Sequence, residues 1–134
     1  MTHYTSKEQS KRLLELGLSP ETSDMYYELL NEDPYPQPVR LPLSSRHWEQ
    51  LLPDVMIPCW SLGALIELLP ERIHLRDWMN YKLVLGKHKA FYLRIEDLKE
   101  SRTILPKCEA ESLLDAVYQM FCILLEKGYI KKGE

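Results

Sequence analysis

The residue with the most chemical potential sits in the stretch Ile57-Pro58-Cys59-Trp60-Ser61-Leu62-Gly63-Ala64-Leu65-Ile66-Glu67-Leu68-Leu69-Pro70. A thiol just ahead of a helix meets the positive end of the helix dipole and its free N–H groups, and both favour the thiolate. A nucleophilic thiol also needs a base within hydrogen-bond reach, most often a histidine. His47 precedes this stretch and His74 follows it, with His3 and His88 further away in sequence. Against catalysis, Cys59 is flanked by Pro58 and Trp60, no nucleophile signature accompanies it, and free cysteine is among the most buried residue types. The expectation is therefore that Cys59 packs, in a mostly apolar corner beside Trp60. Cys108 and Cys122 receive the same reading. Three cysteines so widely separated form neither a disulfide framework nor a zinc knuckle.

Other chemistries find less material. Glu71, His74 and Asp77 in "ERIHLRD" would place two ligands on one helical face, but no second histidine stands at zinc spacing. Glu71, Arg72, Arg76 and Asp77 read more simply as a charged surface. None of the five glycines forms a phosphate-cradling loop, and no serine sits in a nucleophile elbow. No catalytic residue, metal ligand or cofactor is assigned.

Two basic clusters raise nucleic acid as a partner. One is Lys7, Lys11 and Arg12 on the first helix, and the other is Lys87 and Lys89 with His88 at a hairpin tip. In a winged-helix-like arrangement both would meet a phosphate backbone. Yet Glu8 and Glu15 share the first helix, and the chain carries a net charge of −3, so any such binding is expected to be weak. Aromatic residues suggest a different class of partner. Trp48, Trp60 and Trp78 fall near element ends, where a partly exposed ring would suit a protein interface or self-association.

The elements that position these groups are punctuated clearly. Thr5 and Glu8 fit a capping box for a helix near 6–16, and Gly17 fits its C-terminal stop. Ser19-Pro20 opens a further single turn. "MYYELL", Met25 to Leu30, reads as a strand. The proline-rich stretch Asn31 to Ser45 reads as a connection, with an edge strand near Val39 to Leu41 and a short helix in "SRHWEQLL" after it. Ser61 caps a helix near 61–69 that Pro70 ends, with Trp60 and Leu65 placed as a hydrophobic staple. "YKLVLGKHKAFYLRI", near 81–95, reads as a β-hairpin. A three-residue loop from Gly86 to His88 would put Tyr81, Leu83, Phe91, Leu93 and Ile95 on one buried face. Leu114, Val117, Phe121 and Leu124 form the stripe of a helix near 113–127, widened by Tyr118 and Leu125 and flanked by Ala116, Met120 and Ile123. Ser112 is its N-cap, Asp115 completes a capping box and Gly128 is its stop.

Helices mixed with antiparallel strands, without a βαβ repeat, point to an α+β fold over one domain, 1–134. The polar opening "MTHYTSKEQSKR" has no apolar export core. The longest apolar run, Met120 to Leu125, is too short to span a bilayer, so the expected location is the cytoplasm.

Three blocks, "KEQSKRLLELGLSPETSDMYY", "IPCWSLGALIELLP" and "SLLDAVYQMFCILLEKGYI", resemble a group of small uncharacterised proteins encoded by prophages and mobile elements of gut anaerobic bacteria. The resemblance implies a mobile-element setting, and with it nucleic-acid processing or phage–host contact. It brings no catalytic or binding residue with it. The function expected from these readings is a non-enzymatic accessory protein acting through protein–protein contacts. A nucleic-acid module using the first helix and hairpin tip is the alternative, and a small thiol enzyme or hydrolase is the weaker one.

Overall fold

A computed structural model describes residues 3–28, 38–40, 56–76, 79–94, 99–100 and 107–130. Helix α1 spans Lys7–Glu15. Its capping box lies one residue beyond the expected one. The Ser6 hydroxyl accepts from the Gln9 N–H, and the Gln9 side chain accepts from the Ser6 N–H. Thr5 is thereby released from capping and turns inward. The helix ends as expected: Gly17 takes φ 100, its N–H donates to Leu14 O, and the Leu18 N–H donates to Leu13 O. A 3-10 turn, Pro20–Thr22, follows.

Strand β1 (Met25–Glu28) runs between β2 (Val39–Arg40) and β3 (Met56–Cys59), antiparallel to both. Its alternation buries Met25 and Tyr27 with Ile57 and Cys59 in a small cluster. Helix α2 (Leu62–Leu68) starts where Ser61 accepts from the Ala64 N–H. Trp60 and Leu65, the staple pair, are both fully buried in the larger core.

That core lies under a second antiparallel sheet, in the order β4 (Arg72–Arg76), β5 (Met79–Leu85), β6 (Lys89–Arg94), β7 (Lys99–Glu100), with β8 (Cys108–Glu109) also paired to β6. Helix α3 (Leu113–Lys127) packs on β6 and β8 and against α2. Leu114, Val117, Phe121 and Leu124 are buried as its periodicity requires, with Ala116, Met120 and Leu125 buried beside them. Each such large apolar side chain contributes about 1.5–3 kcal/mol by leaving water. The Ser112 hydroxyl caps the start of α3, and Gly128, at φ 78, ends it. Asp115 is tied elsewhere than expected: its Oδ1 accepts from Gln9 Nε2 at 2.9 Å, joining α3 to α1. The α+β class and the three expected helices are thus present among the described residues.

Two expectations change. The first is the hairpin register. Tyr81 faces Arg94, Leu83 faces Tyr92 and Leu85 faces Ala90. The Gly86 N–H donates to Lys89 O, so Lys87 and His88 form a two-residue turn. A Cβ on Gly86 would stand 2.7 Å from the Lys89 side chain, so glycine leaves room at this closing position. One residue of slip inverts a strand. Ala90 and Tyr92 therefore join Tyr81 and Leu83 toward the core, and Phe91 and Leu93 lie on the opposite face of the sheet, where Phe91 is buried and Leu93 partly exposed. The second change is in "ERIHLRD": the helical face considered for Glu71, His74 and Asp77 gives way to strand β4, with Ile73 buried opposite Tyr81, while Glu71 and Arg72 are exposed as a charged surface would have them. The four residues before Trp60, to which the sequence reading assigned no element, form strand β3. The short helix in "SRHWEQLL" and the residue Ile95 lie outside the described residues.

Candidate functional site around Cys59

Cys59 ends β3, and Trp60 and Ser61 lead straight into α2. Over this corner lies the N-terminal segment. Tyr4 bridges Ser61, the Thr5 N–H donates to Trp60 O at 2.9 Å, and the Leu62 N–H donates to His3 O at 2.8 Å. The segment seals the thiol: Cys59 is 0% exposed.

Its surroundings are not the apolar corner expected from sequence. The Thr5 hydroxyl donates to Cys59 Sγ at 3.6 Å, and Cys59 Sγ donates to Thr5 O at 3.4 Å. Thr5 O also accepts from the Tyr27 hydroxyl at 2.7 Å. Thr5 Oγ1 accepts from the Trp60 N–H at 3.1 Å and lies 2.7 Å from Ser10 Oγ. Thr5 spends its single hydroxyl proton on Cys59, so Ser10 donates to Thr5. Every buried side-chain nitrogen and oxygen among the described residues has a partner. The arrangement is a closed hydrogen-bond network that joins α1, β1 and β3.

Burial is the main force on this thiol. It pushes Cys59 up to about 11, and hydrogen bonds from Thr5 and Tyr27 offset only part of that rise. The Tyr27 phenol is raised as well, chiefly by burial and then by Cys59. Both shifts keep protons on, the reverse of what activates a nucleophile. Position ahead of α2 does not produce a thiolate here, because the sulfur is desolvated and held in the side-chain network. Cys108 is buried and also pushed up to about 11, and Cys122, half-buried, is raised by the same cause.

The neighbouring serine is equally committed. Ser61 Oγ accepts from the Ala64 N–H and donates to Asp24 Oδ2, while Asp24 Oδ1 accepts from the Ser61 N–H at 2.9 Å. A carboxylate beside a helix start is stabilising there. This pair anchors α2 to the chain before β1 and leaves the hydroxyl structural.

The tryptophans divide. Trp60 is fully buried and its Nε1 donates to Thr22 Oγ1 at 2.9 Å, so it presents no ring surface to a partner. That corrects the expectation of partial exposure at Trp60. Trp48 and Trp78 lie outside the described residues, as does His47. His74 is placed on β4, opposite Asn80. Among the described residues no cluster of three metal-ligating side chains occurs.

The basic clusters are largely engaged. Lys7 Nζ stands 5.9 Å from the Tyr27 ring. Arg12 bonds Glu15 at 3.4 Å and Glu126 at 3.1 Å. Lys89 Nζ lies 5.7 Å from the Phe91 ring. Lys11 and Lys87 are exposed. At the hairpin tip, Lys87, His88 and Lys89 border one open hollow with Glu109, Ala110 and Glu111, and the Ala110 N–H donates to His88 O. The lysines there face carboxylates within the same molecule.

Sequence reasoning missed Thr5, Ser10 and Asp24. Thr5 stands 54 positions from Cys59, and no local pattern reports a bond of that range. Comparison of the chain with family models, curated proteins and solved structures gives no match.

Proposed function

We propose that this chain is a non-enzymatic accessory protein that works through protein–protein contacts, in the cytoplasm and in the mobile-element setting that its three sequence blocks imply. The observation that carries the reading is the commitment of its reactive groups. The Cys59 thiol and the hydroxyls of Thr5, Ser10 and Ser61 are bonded to structural partners, and the thiol is raised rather than activated. A thiol enzyme needs the opposite arrangement.

The nucleic-acid alternative has less support. Lys7, Arg12 and Lys89 already meet rings or carboxylates, and Glu109 and Glu111 share the hollow of Lys87 and Lys89. Carboxylates beside lysines weaken the field a phosphate backbone requires. No helix among the described residues is long and apolar enough to cross a membrane.

Affinity capture from producing cells, with and without nuclease, tests the reading. A partner protein retained in near-stoichiometric amount after nuclease is expected. Retention of nucleic acid alone, or loss of every bound protein after nuclease, would contradict it.

A further inference from the structure

The hairpin register creates a surface that the sequence pattern concealed. On the outer face of the five-stranded sheet, Arg72 stands directly opposite Lys82, and Lys82 opposite Leu93. In the next row Val84 faces Phe91, and beyond it Lys89 faces Glu109. Lys107 Nζ lies 5.4 Å from the Phe91 ring, on the side away from Val84. Helix α3 packs on the other face of this sheet, where Ala90, Tyr92 and Cys108 belong to the core. Among the described residues, no helix joins Val84, Phe91 or Leu93 in a hydrophobic cluster.

Two features point to the occupant. Like charges directly opposite one another destabilise a strand pair. Arg72 and Lys82 are such a pair and both are exposed, so a carboxylate set between them would relieve the repulsion. The charge on this face also runs against that of the chain. The chain is at −3, whereas among the described residues this face carries Arg72, Lys82, Lys89 and Lys107 against two acids: Glu109, itself paired with Lys107 at 3.3 Å, and Glu100, at the register position opposite Leu93. Partly exposed Val84 and Leu93 supply apolar contact between the cations.

We propose that this outer sheet face, centred on Arg72, Lys82, Val84 and Leu93, docks an acidic and partly apolar segment of a partner protein. The proposal rests on the protein-contact reading and names the partner's chemistry. A nucleic acid fits less well. Phe91 is only 7% exposed, with two ammonium groups over its ring, so it offers no platform for a stacked base.

The test is selection of a random displayed peptide library on the full chain, followed by titration of the selected peptides. Enriched peptides should carry Asp or Glu interleaved with apolar residues. They should bind wild type and the Lys11→Glu control alike. The Arg72→Glu/Lys82→Glu variant, shown to be folded by circular dichroism, should bind about tenfold more weakly, because complementary charges are replaced by repulsive ones. If that variant does not fold, Arg72→Gln/Lys82→Gln takes its place with the same expected direction. Three results would each overturn the proposal: selected peptides without acid enrichment, equal binding by the variant, or tighter binding to single-stranded RNA or to anionic vesicles. A partner captured equally well by wild type and variant would remove this surface while leaving the protein-contact reading in place. Failure to capture any protein would remove that reading itself.

Discussion

Around Phe121 the chain is held by apolar volume, and around Thr5 it is held by hydroxyl and thiol hydrogen bonds. The first region gathers Leu13, Leu65, Tyr92, Val117 and Phe121 between helices and sheet. The second gathers Thr5, Ser10, Tyr27 and Cys59, all buried, where the N-terminal segment crosses β3. The difference matters for function. A buried thiol in an apolar core would be inert by isolation alone. Here burial still does most to hold its proton, and Thr5 fills both its donor and its acceptor roles.

The contrast can be broken by mutation. Phe121→Ala should cost about 3–5 kcal/mol, as large core truncations do, measured as a shift in denaturant midpoint. A midpoint equal to wild type would show that α3 is not the main core element. Thr5→Val keeps the shape but strips the hydroxyl, leaving the Trp60 N–H without its acceptor. It should cost about 1–3 kcal/mol by the same assay. Loss below about 0.5 kcal/mol would mean that the network adds little to stability. Cys59→Ser should cost less than either, about 1 kcal/mol or below, because a serine hydroxyl can fill both bonds made by the thiol.

The ranking of those effects also records what the sequence made legible. Periodicity and caps are local, so Ser61, Ser112, Gly17 and Gly128 and the stripe of α3 could be read directly. The hairpin was legible as an element but not in its register. Gly86 suggested its place inside the loop, whereas it closes the turn opposite Lys89. That single residue reverses Phe91 and Tyr92. Strand β3 was obscured by Pro58, which demotes a run as a strand, and β4 by charges that also suit a helix surface. Of the candidate site, the restraint on Cys59 was legible but its cause was not. Its partners come from Thr5 and Tyr27, brought together only by the tertiary fold.

Alkaline titration sharpens the comparison further. Cys59 holds its proton to about 11 in the folded chain, above its ordinary 9.0. The unfolded chain therefore releases that proton first, and the folded state binds more protons above the ordinary value. The corresponding stability is fully present below about pH 9 and is lost as pH rises toward about 11. Cys108 acts in the same direction over the same window. Denaturation midpoints should fall across that window, and Cys59→Ala should make the fall shallower. The smallest expected effect is on duplex DNA. Labelled duplex should bind with a dissociation constant no better than about 10⁻⁵ M near physiological salt, and more weakly as salt rises. Sub-micromolar binding lost on replacing Lys87 and Lys89 would revive the nucleic-acid alternative.

The central claim is that Cys59 is a structural thiol sealed by the N-terminal segment, and native-state alkylation measures this directly. With iodoacetamide at about pH 6, where an activated thiol reacts and an ordinary one scarcely does, Cys59 should remain unlabelled in the folded chain and be labelled only after denaturation at higher pH. Half-buried Cys122 should be modified ahead of it as pH is raised. Rapid labelling of Cys59 at about pH 6 in folded protein would contradict the account and return the thiol to the list of catalytic candidates.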